Sequence, residues 1–322
     1  MLVDIATIRA AARELGFLEA TLEKVIRLGQ VLEQVNRHPL LKEVLVLKGG
    51  TALNLSQSAP QRLSVDLDFN YIGAEDREQM LQQRPAVELA LAQVVTSMGY
   101  RVQHSRDEHA GRKMYLGYTN AAGRSDRIEV DLNYQFRVPL VPVAISTIWQ
   151  PTGFRSVSAR TVGTQELAAG KISALLDRSA ARDIWDVRRL PKFVGADWSS
   201  RNLRVVFLAI SGALDHAVYT YGRDRLERVS QVDIDTQLFP VLTAADRPSR
   251  DRIIRECWTV VAPLLDLADA EKEFVDALQA GHLDPRLLRI RDTDLTDRIG
   301  RHPALLWKVQ NARENRAAKR KH

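Results

Sequence analysis

Two aspartates separated by one residue, Asp66 and Asp68, are the part of this sequence best suited to chemistry. In an extended strand, residues two apart point to the same face, so both carboxylates project together. Such carboxylates repel each other unless a cation lies between them, and magnesium prefers oxygen ligands while keeping positions for water or phosphates. The pair therefore predicts a site for Mg²⁺ or Mn²⁺, and a solvated strand face is the alternative interpretation.

A glycine pair lies upstream of these aspartates, where an apolar run at 44–47 meets the start of a helix. Glycine allows backbone N–H groups to approach a phosphate closely, and a helix amino terminus favours an anion. We expect Gly49, Gly50 and Thr51 to hold the β- and γ-phosphates of a nucleoside triphosphate (NTP). An ordinary strand–helix turn would use glycine for the same conformational reasons.

A third carboxylate, Asp131, lies on the alternating segment 127–136 and shares a face with Glu129. If this strand lies beside the first, three carboxylates and the glycine turn would suit two-metal phosphoryl transfer. Asp131 would then complete the second metal site or deprotonate the acceptor hydroxyl. A solvated edge strand is the alternative.

Cations recur at helical spacing in the segment 164–189, which the periodicity predicts as one long helix or two in sequence. In a continuous helix, Lys171, Arg178 and Arg182 would share one stripe and could face a triphosphate. The competing interpretation is an exposed helix surface on which Arg182 and Asp183 form salt bridges with Asp186 and Arg189.

The elements that must position these residues change type along the chain. Apolar periodicity predicts helices in 4–37 and 75–98, the latter restarting at Pro85, and an irregular connection at 138–151. Strands are predicted at 44–47, 63–71, 100–103, 113–118 and 127–136, and further helices at 203–221, 249–267, 270–280 and 303–321. The predicted class is α+β, with a mixed α/β domain over 1–160 and a helical domain over 161–322.

Composition narrows the class of protein. The 322 residues are 45% hydrophobic and carry a net charge of +6, much of it near the carboxyl terminus, where 308–322 has six basic residues against Glu314. This tail is predicted to be a peripheral helix that grips RNA phosphates. The single cysteine, Cys257, excludes an intramolecular disulfide and a multi-cysteine zinc site. No segment resembles a signal peptide or membrane span, so a soluble cytoplasmic protein is expected.

Two groups of motifs resemble one known family. The segments 48–53 (KGGTAL) and 62–69 (RLSVDLDF) resemble the first motif of the AbiEii-type nucleotidyltransferases, within the DNA polymerase β-like nucleotidyltransferase superfamily. The segments 166–171 (ELAAGK) and 178–186 (RSAARDIWD) are similar to the family's later Lys…Arg-x-x-x-Arg-Asp-x-x-Asp motif. The family includes MenT-type toxins of type IV toxin–antitoxin pairs.

The resemblance implies a polymerase β-like fold and a metal-dependent enzyme that moves NMP from an NTP to an acceptor, releasing pyrophosphate. It further implies a toxin that blocks translation, with the tRNA 3′ end as acceptor and a cognate antitoxin as partner. The implied catalytic residues are Asp66, Asp68, Asp131 and Lys171, and the implied nucleotide contacts add Gly49, Gly50, Thr51, Ser64, Arg182, Asp183 and Asp186. Alternatives are an enzyme acting on a protein, itself or a small molecule, and a non-catalytic nucleotide- or RNA-binding module.

Overall fold

The computed structural model describes residues 4–106 and 110–319, with side chains described as far as 316. Arg320 and Lys321 of the predicted basic tail lie outside the described residues. The chain divides into two compact units. The α/β unit comprises Met1–Arg137, Val143–Val162 and Phe239–Arg247, and the helical unit comprises Val138–Pro142, Gly163–Leu238 and Pro248–His322. The division into domains predicted near residue 160 stays a prediction.

The α/β unit is built on a mixed seven-stranded sheet in the order β3-β4-β5-β2-β1-β7-β6. Its strands are β1 (Leu45–Lys48), β2 (Asp66–Tyr71), β3 (Arg101–His104), β4 (Gly111–Thr119), β5 (Ser125–Asn133), β6 (Ala144–Ile148) and β7 (Val157–Thr161). The β2–β5 and β1–β7 pairs are parallel and the other pairs are antiparallel. The helices are α1 (Ile5–Leu15), α2 (Glu19–Arg37), α3 (Leu41–Val44), α4 (Gly49–Asn54) and α5 (Arg77–Ser97).

Helix α2 and helix α5 pack on each other and on the sheet. Both carry apolar residues at helical spacing, and these residues are buried along their length. Pro85 lies inside α5 without ending it, so the predicted restart at this residue is wrong. Met80, Val87 and Leu91 are buried on both sides of the proline, and this continuous packing outweighs the lost backbone hydrogen bond.

The strand predicted over 63–71 begins later than its alternating pattern suggested, at Asp66. The residues before Asp66 pair with a segment far along the chain instead. The Leu63 N–H donates to the Val241 carbonyl at 2.8 Å, and Arg62 forms an isolated antiparallel β-bridge with Leu242. The partner segment, 239–247, returns to this unit from far along the chain. Local alternation cannot reveal such a partner.

Two strands lie where the sequence predicted none. β6 occupies part of the segment expected to be an irregular connection, and β7 follows it. The pair forms one end of the sheet, and β7 joins β1 through Leu47 and Thr161. Prolines in the segment mark its ends, while the short apolar alternation between them pairs into strands.

The described part of the helical unit contains no strand, and the predicted α+β class, a sheet with flanking helices followed by a helical region, is confirmed. The helix predicted over 203–221 ends early, at Ser211, where Gly212 packs against Leu278 and Leu305. The helices of this unit are α6 (Thr164–Arg178), α7 (Ala181–Val187), α8 (Leu190–Val194), α9 (Arg201–Ser211), α10 (Asp224–Glu227), α11 (Gln231–Asp233), α12 (Arg250–Leu265), α13 (Asp269–Gln279), α14 (Thr293–Gly300) and α15 (Pro303–Lys319).

Candidate active site

Four charged residues form a row across four adjacent strands of the sheet. Asp68 on β2 is in register with Lys48 on β1 and with Asp131 on β5, and Asp131 is in register with Lys113 on β4. Residues paired in this way project to the same side of a sheet. The structure therefore brings two of the predicted carboxylates side by side, with a lysine at each end of the row.

The predicted partner of these carboxylates, Asp66, lies one step along the same face. It is in register with Glu129, whose carboxylate accepts a hydrogen bond from Lys113. Asp66, Asp68 and Asp131 are all half-buried. The parallel pairing of β2 with β5 thus places all three predicted carboxylates on two neighbouring strands.

The charges in the row act on each other. Burial raises the pKa of Asp131, and the carboxylates of Asp68 and Glu129 add to this effect, while Lys48 and Lys113 oppose it. Among the described residues, Asp68 and Asp131 have no hydrogen-bond or ion-pair partner. Two half-buried carboxylates that lie in register without a direct ion pair are costly unless a cation joins them.

At Gly49 and Gly50, the backbone of helix α4 lies very close to this row. Gly49 has φ +71°, and a Cβ atom there would collide with the Asp68 carboxylate. A Cβ atom at Gly50 would lie 2.8 Å from the Ser64 hydroxyl oxygen and 3.0 Å from Arg62 Nη2. Glycine is needed at both positions because the backbone closely approaches the side chains of Asp68, Ser64 and Arg62.

Thr51 and Arg62 fix the strand that carries the aspartates. The Thr51 hydroxyl is buried and donates to the Asp66 carbonyl at 2.5 Å. Arg62 is 2% exposed, and its Nη1 donates to the Leu63 carbonyl at 2.8 Å. Ser64 is also buried beside Gly50. Any contact of Thr51 with a phosphate would come from its backbone N–H, because its hydroxyl is already used.

The donor atoms of the row fit a hard divalent cation, since they are carboxylate oxygens from Asp68 and Asp131 with no competing partner. Because Gly49 has no Cβ atom, the Asp68 carboxylate is not blocked on the side that faces this glycine. No group of three or more His, Cys, Asp or Glu residues within 4–106 and 110–319 is arranged to hold a metal ion. The three-carboxylate ligand set therefore stays a prediction, and Asp68 with Asp131 is the pair that the structure assembles.

Sequence analysis did not place the two lysines of the row, Lys48 and Lys113, beside the carboxylates. Lys48 immediately precedes the glycine pair, and Lys113 shares the alternation of its strand. Those positions were visible in the sequence, but the cross-strand register that gives them a role was not. The hydrogen bond to Glu129 raises the pKa of Lys113 above its usual value, against the opposing effect of burial.

A second charged cluster lies within the helical unit. Helix α6 ends at Arg178, and Ser179 adopts a left-handed conformation with φ 51° and ψ 47°. The stripe of Lys171, Arg178 and Arg182 on one continuous helix is therefore wrong. Helix α7 begins after this break, and its carboxylates Asp183 and Asp186 contact Lys171.

In this cluster Lys171 Nζ lies 2.8 Å from Asp183 Oδ1 and 2.8 Å from Asp186 Oδ2. All three side chains are buried. Arg178 Nε adds a hydrogen bond of 2.8 Å to Asp183 Oδ2, although the arginine side chain is 63% exposed. Burial alone would raise the pKa of Asp183, but Lys171 and Arg178 outweigh it and hold the pKa well below its ordinary value. Arg182 lies half-buried on α7.

Comparisons with known proteins agree with these motifs. The family model described as "Nucleotidyl transferase AbiEii toxin, Type IV TA system" matches residues 30–284, which is most of the chain. The protein belongs to the AbiEii family. It is therefore a nucleotidyltransferase toxin of the type IV toxin–antitoxin class, and this class implies an NTP substrate and an antitoxin partner.

A solved structure has the same fold. The chain resembles MenT4, a nucleotidyltransferase toxin from Mycobacterium tuberculosis H37Rv, with 16% sequence identity and a TM-score of 0.66. The match covers 94% of this chain and 99% of MenT4. No curated protein matches the sequence significantly. Among the described helices, none is long and apolar enough to cross a membrane.

Proposed function

We propose that the protein transfers a nucleoside monophosphate from an NTP to the 3′ end of tRNA. This modification would prevent aminoacylation and stop translation, with a cognate antitoxin limiting the damage in the cytoplasm. The observation that carries the transferase proposal is the register of Asp68 with Asp131 beside Gly49. The tRNA acceptor is an expectation from membership of this toxin family.

In the proposed reaction, the acceptor hydroxyl oxygen bonds to the α-phosphorus and the bond from that phosphorus to pyrophosphate breaks. Bound Mg²⁺ or Mn²⁺, held by Asp68 and Asp131 with Asp66 beside them, would offset the negative charge of the triphosphate. As the alternative to holding the metal, Asp131 accepts the proton that the acceptor hydroxyl loses. Backbone N–H groups at Gly49 and Gly50 bind the leaving phosphates.

The cluster of the helical unit has a supporting part in this proposal. Lys171 supplies positive charge to the nucleotide, while Asp183 and Asp186 fix the position of its ammonium group. Arg182 and Ser64 are further proposed nucleotide contacts. Because Lys171 already binds two carboxylates, its contribution depends on their geometry as well as on its charge.

The test incubates the purified protein with each α-labelled NTP, magnesium and total cellular RNA. We expect a labelled band of tRNA size with one preferred nucleotide, and its loss on chelation with EDTA. Label in the protein band alone would mean that the protein modifies itself and that tRNA is not the acceptor. The proposal would be contradicted if no NTP gave transfer to RNA or protein.

Two variants make this test specific. Asp68→Asn keeps the shape of the side chain but removes its charge, so we expect transfer to fall at least about 100-fold. Glu43→Gln is the matched control, because this exposed carboxylate lies in the same unit but outside the row. Equal activity of Asp68→Asn and the wild type would remove the carboxylate row from the mechanism.

A further inference from the structure

A cavity of about 380 Å³ lies within the helical unit, away from the charged cluster of Lys171. Helix α15 forms one wall, and the segments that follow α9 and end α13 form the others. Its lining combines an aromatic ring, three side-chain amides and two cations: Trp307, Gln279, Asn311, Asn315, Lys308 and Arg316.

The spacing along α15 directs the aromatic ring and two amides into this cavity. Trp307, Asn311 and Asn315 follow each other at intervals of four residues, so they share a stripe of the helix. Ala312, on the neighbouring stripe, leaves room beside them. The lining of the cavity thus depends on the repeated spacing along the helix and not on a single side chain.

These side chains are not used by the fold. Trp307 is 44% exposed, so part of its ring surface is open to a ligand. In the part of the chain whose side chains are described, the amides of Asn311 and Asn315 have no hydrogen-bond partner. An exposed aromatic ring beside free donors and acceptors is suited to a flat, polar-edged ligand.

The cations at the rim are anchored by the fold. Lys308 Nζ donates to the Leu214 carbonyl at 2.6 Å, and burial lowers its pKa. Arg316 Nη1 donates to the carbonyl of Ala280 at 2.7 Å. A guanidinium group has five donors, so Arg316 keeps donors for a phosphate while its position is fixed.

We propose that this cavity binds an unpaired nucleobase of a single-stranded nucleic acid. The base stacks on Trp307, Asn311 and Asn315 form hydrogen bonds with its edge, and Arg316 binds the adjoining phosphate. Stacking on aromatic side chains with nearby cations is the general mode of single-strand recognition. An apolar peptide would leave the amides unpaired, and a metal ion would find only Asp215 as a carboxylate.

The link between this cavity and the acceptor rests on the proposed function, whereas base binding itself does not. If the acceptor is RNA, the cavity supplies a second contact that holds it independently of the reacting hydroxyl. Binding can be measured without an NTP, so failure of transfer and failure of this site are distinguishable.

The experiment measures binding of fluorescent six-nucleotide RNA and DNA strands to the full chain by anisotropy, without NTP. We expect Trp307→Ala to weaken binding about 5- to 150-fold, the range for loss of one stacked base, and Trp307→Phe to retain most of it. Tighter binding of the RNA strand would show that the 2′-hydroxyl is read, and equal binding would assign the site to single strands in general.

Leu306→Ala is the matched control, because Leu306 is 46% exposed next to Trp307 but does not line the cavity. It should bind both strands like the wild type. The double variant Asn311→Ala with Asn315→Ala should lose base preference while keeping α15 folded. Wild-type binding by Trp307→Ala, or an equal loss in Leu306→Ala, would overturn the proposal.

Discussion

The carboxylate row of the α/β unit and the Lys171 cluster of the helical unit contain similar residues in opposite electrostatic states. In the row, Asp68 and Asp131 lie side by side, and burial raises the pKa of Asp131. In the cluster, Asp183 is more deeply buried, yet its pKa is lowered. The difference comes from direct ion pairs with Lys171 and Arg178, which the row lacks among the described residues.

This contrast separates two uses of an acidic side chain. A paired, buried carboxylate contributes to the folded state, and removal of its partner is expensive. An unpaired carboxylate reduces stability and is retained where a ligand will supply the missing charge. The cluster should therefore respond to substitution mainly through stability, and the row mainly through activity.

The largest stability effect is expected for Lys171→Met, which leaves Asp183 and Asp186 buried without their shared cation. The free energy of unfolding should fall by about 3–5 kcal/mol, measured by urea denaturation at pH 7. Lys192→Met, at an exposed position on α8, is the control and should change it by less than about 0.5 kcal/mol. Wild-type stability of Lys171→Met would mean that the two carboxylates are protonated or hydrated.

A smaller effect, on the order of 3 kcal/mol, is expected for the pH dependence caused by Glu166. Burial raises its pKa to about 7, against the opposing effect of the Val141 and Leu140 N–H groups and Arg298. The folded state therefore holds a proton that the unfolded chain releases near its ordinary value of 4.5. Its stabilising contribution is present below about pH 4.5 and is lost as the pH rises through about 7.

Glu166→Gln tests this dependence, since glutamine keeps an oxygen acceptor for the Leu140 N–H but cannot ionise. Urea midpoints between pH 4.5 and 8 should slope less in the variant than in the wild type. Asp183 provides the opposite sign: its lowered pKa makes its contribution present above pH 3.8 and lost in stronger acid. An unchanged slope in Glu166→Gln would show that ionisation of Glu166 does not cause this pH dependence of stability.

Gly49→Ala should cost about 2 kcal/mol, because it combines a left-handed φ with a collision against Asp68. Gly99 separates the two causes, since it has φ +90° but no atom within 4 Å of an added Cβ. Gly99→Ala should therefore cost less and keep full transfer, while Gly49→Ala should lose transfer. Equal behaviour of the two variants would remove the close approach at Gly49 from the site.

The smallest stability effect is expected for Asp131→Asn. Its ionised form is disfavoured in the folded protein, so the substitution should raise the free energy of unfolding by up to about 1 kcal/mol while abolishing transfer. Parallel urea denaturation and α-label transfer assays measure both effects. A clear loss of stability would mean that the Asp131 carboxylate contributes to the folded state in the same way as the paired carboxylates of the helical unit.

Much of the site follows from local pattern. Alternation places Asp66 and Asp68 on one face, and the glycine pair falls at the predicted strand–helix junction. Both features depend only on neighbouring residues, which is why sequence reasoning finds them. The break at Ser179 was less accessible, because serine rarely adopts the left-handed conformation and no glycine or proline marks that position.

The basic tail stays a predicted RNA contact, and the structure adds a role for its cations within the fold. Lys308, Arg313 and Arg316 each donate to carbonyl groups near the ends of other helical segments. Cations are favoured there because unpaired carbonyls give a helix end partial negative charge. The more informative residue of this helix is Trp307, which carries no charge.

The order of residues along the chain predicted the α+β class and the acidic motif, because both depend on periodicity and spacing over a few residues. The family was indicated by the resemblance of its motifs and shown by the family model. The pairing of Asp68 with Asp131, the lysines at the ends of their row, and the partner of Leu63 emerged only from the folded chain. These contacts join residues far apart in sequence. Periodicity tells which face of a strand is buried, but only strand register tells which residue lies opposite.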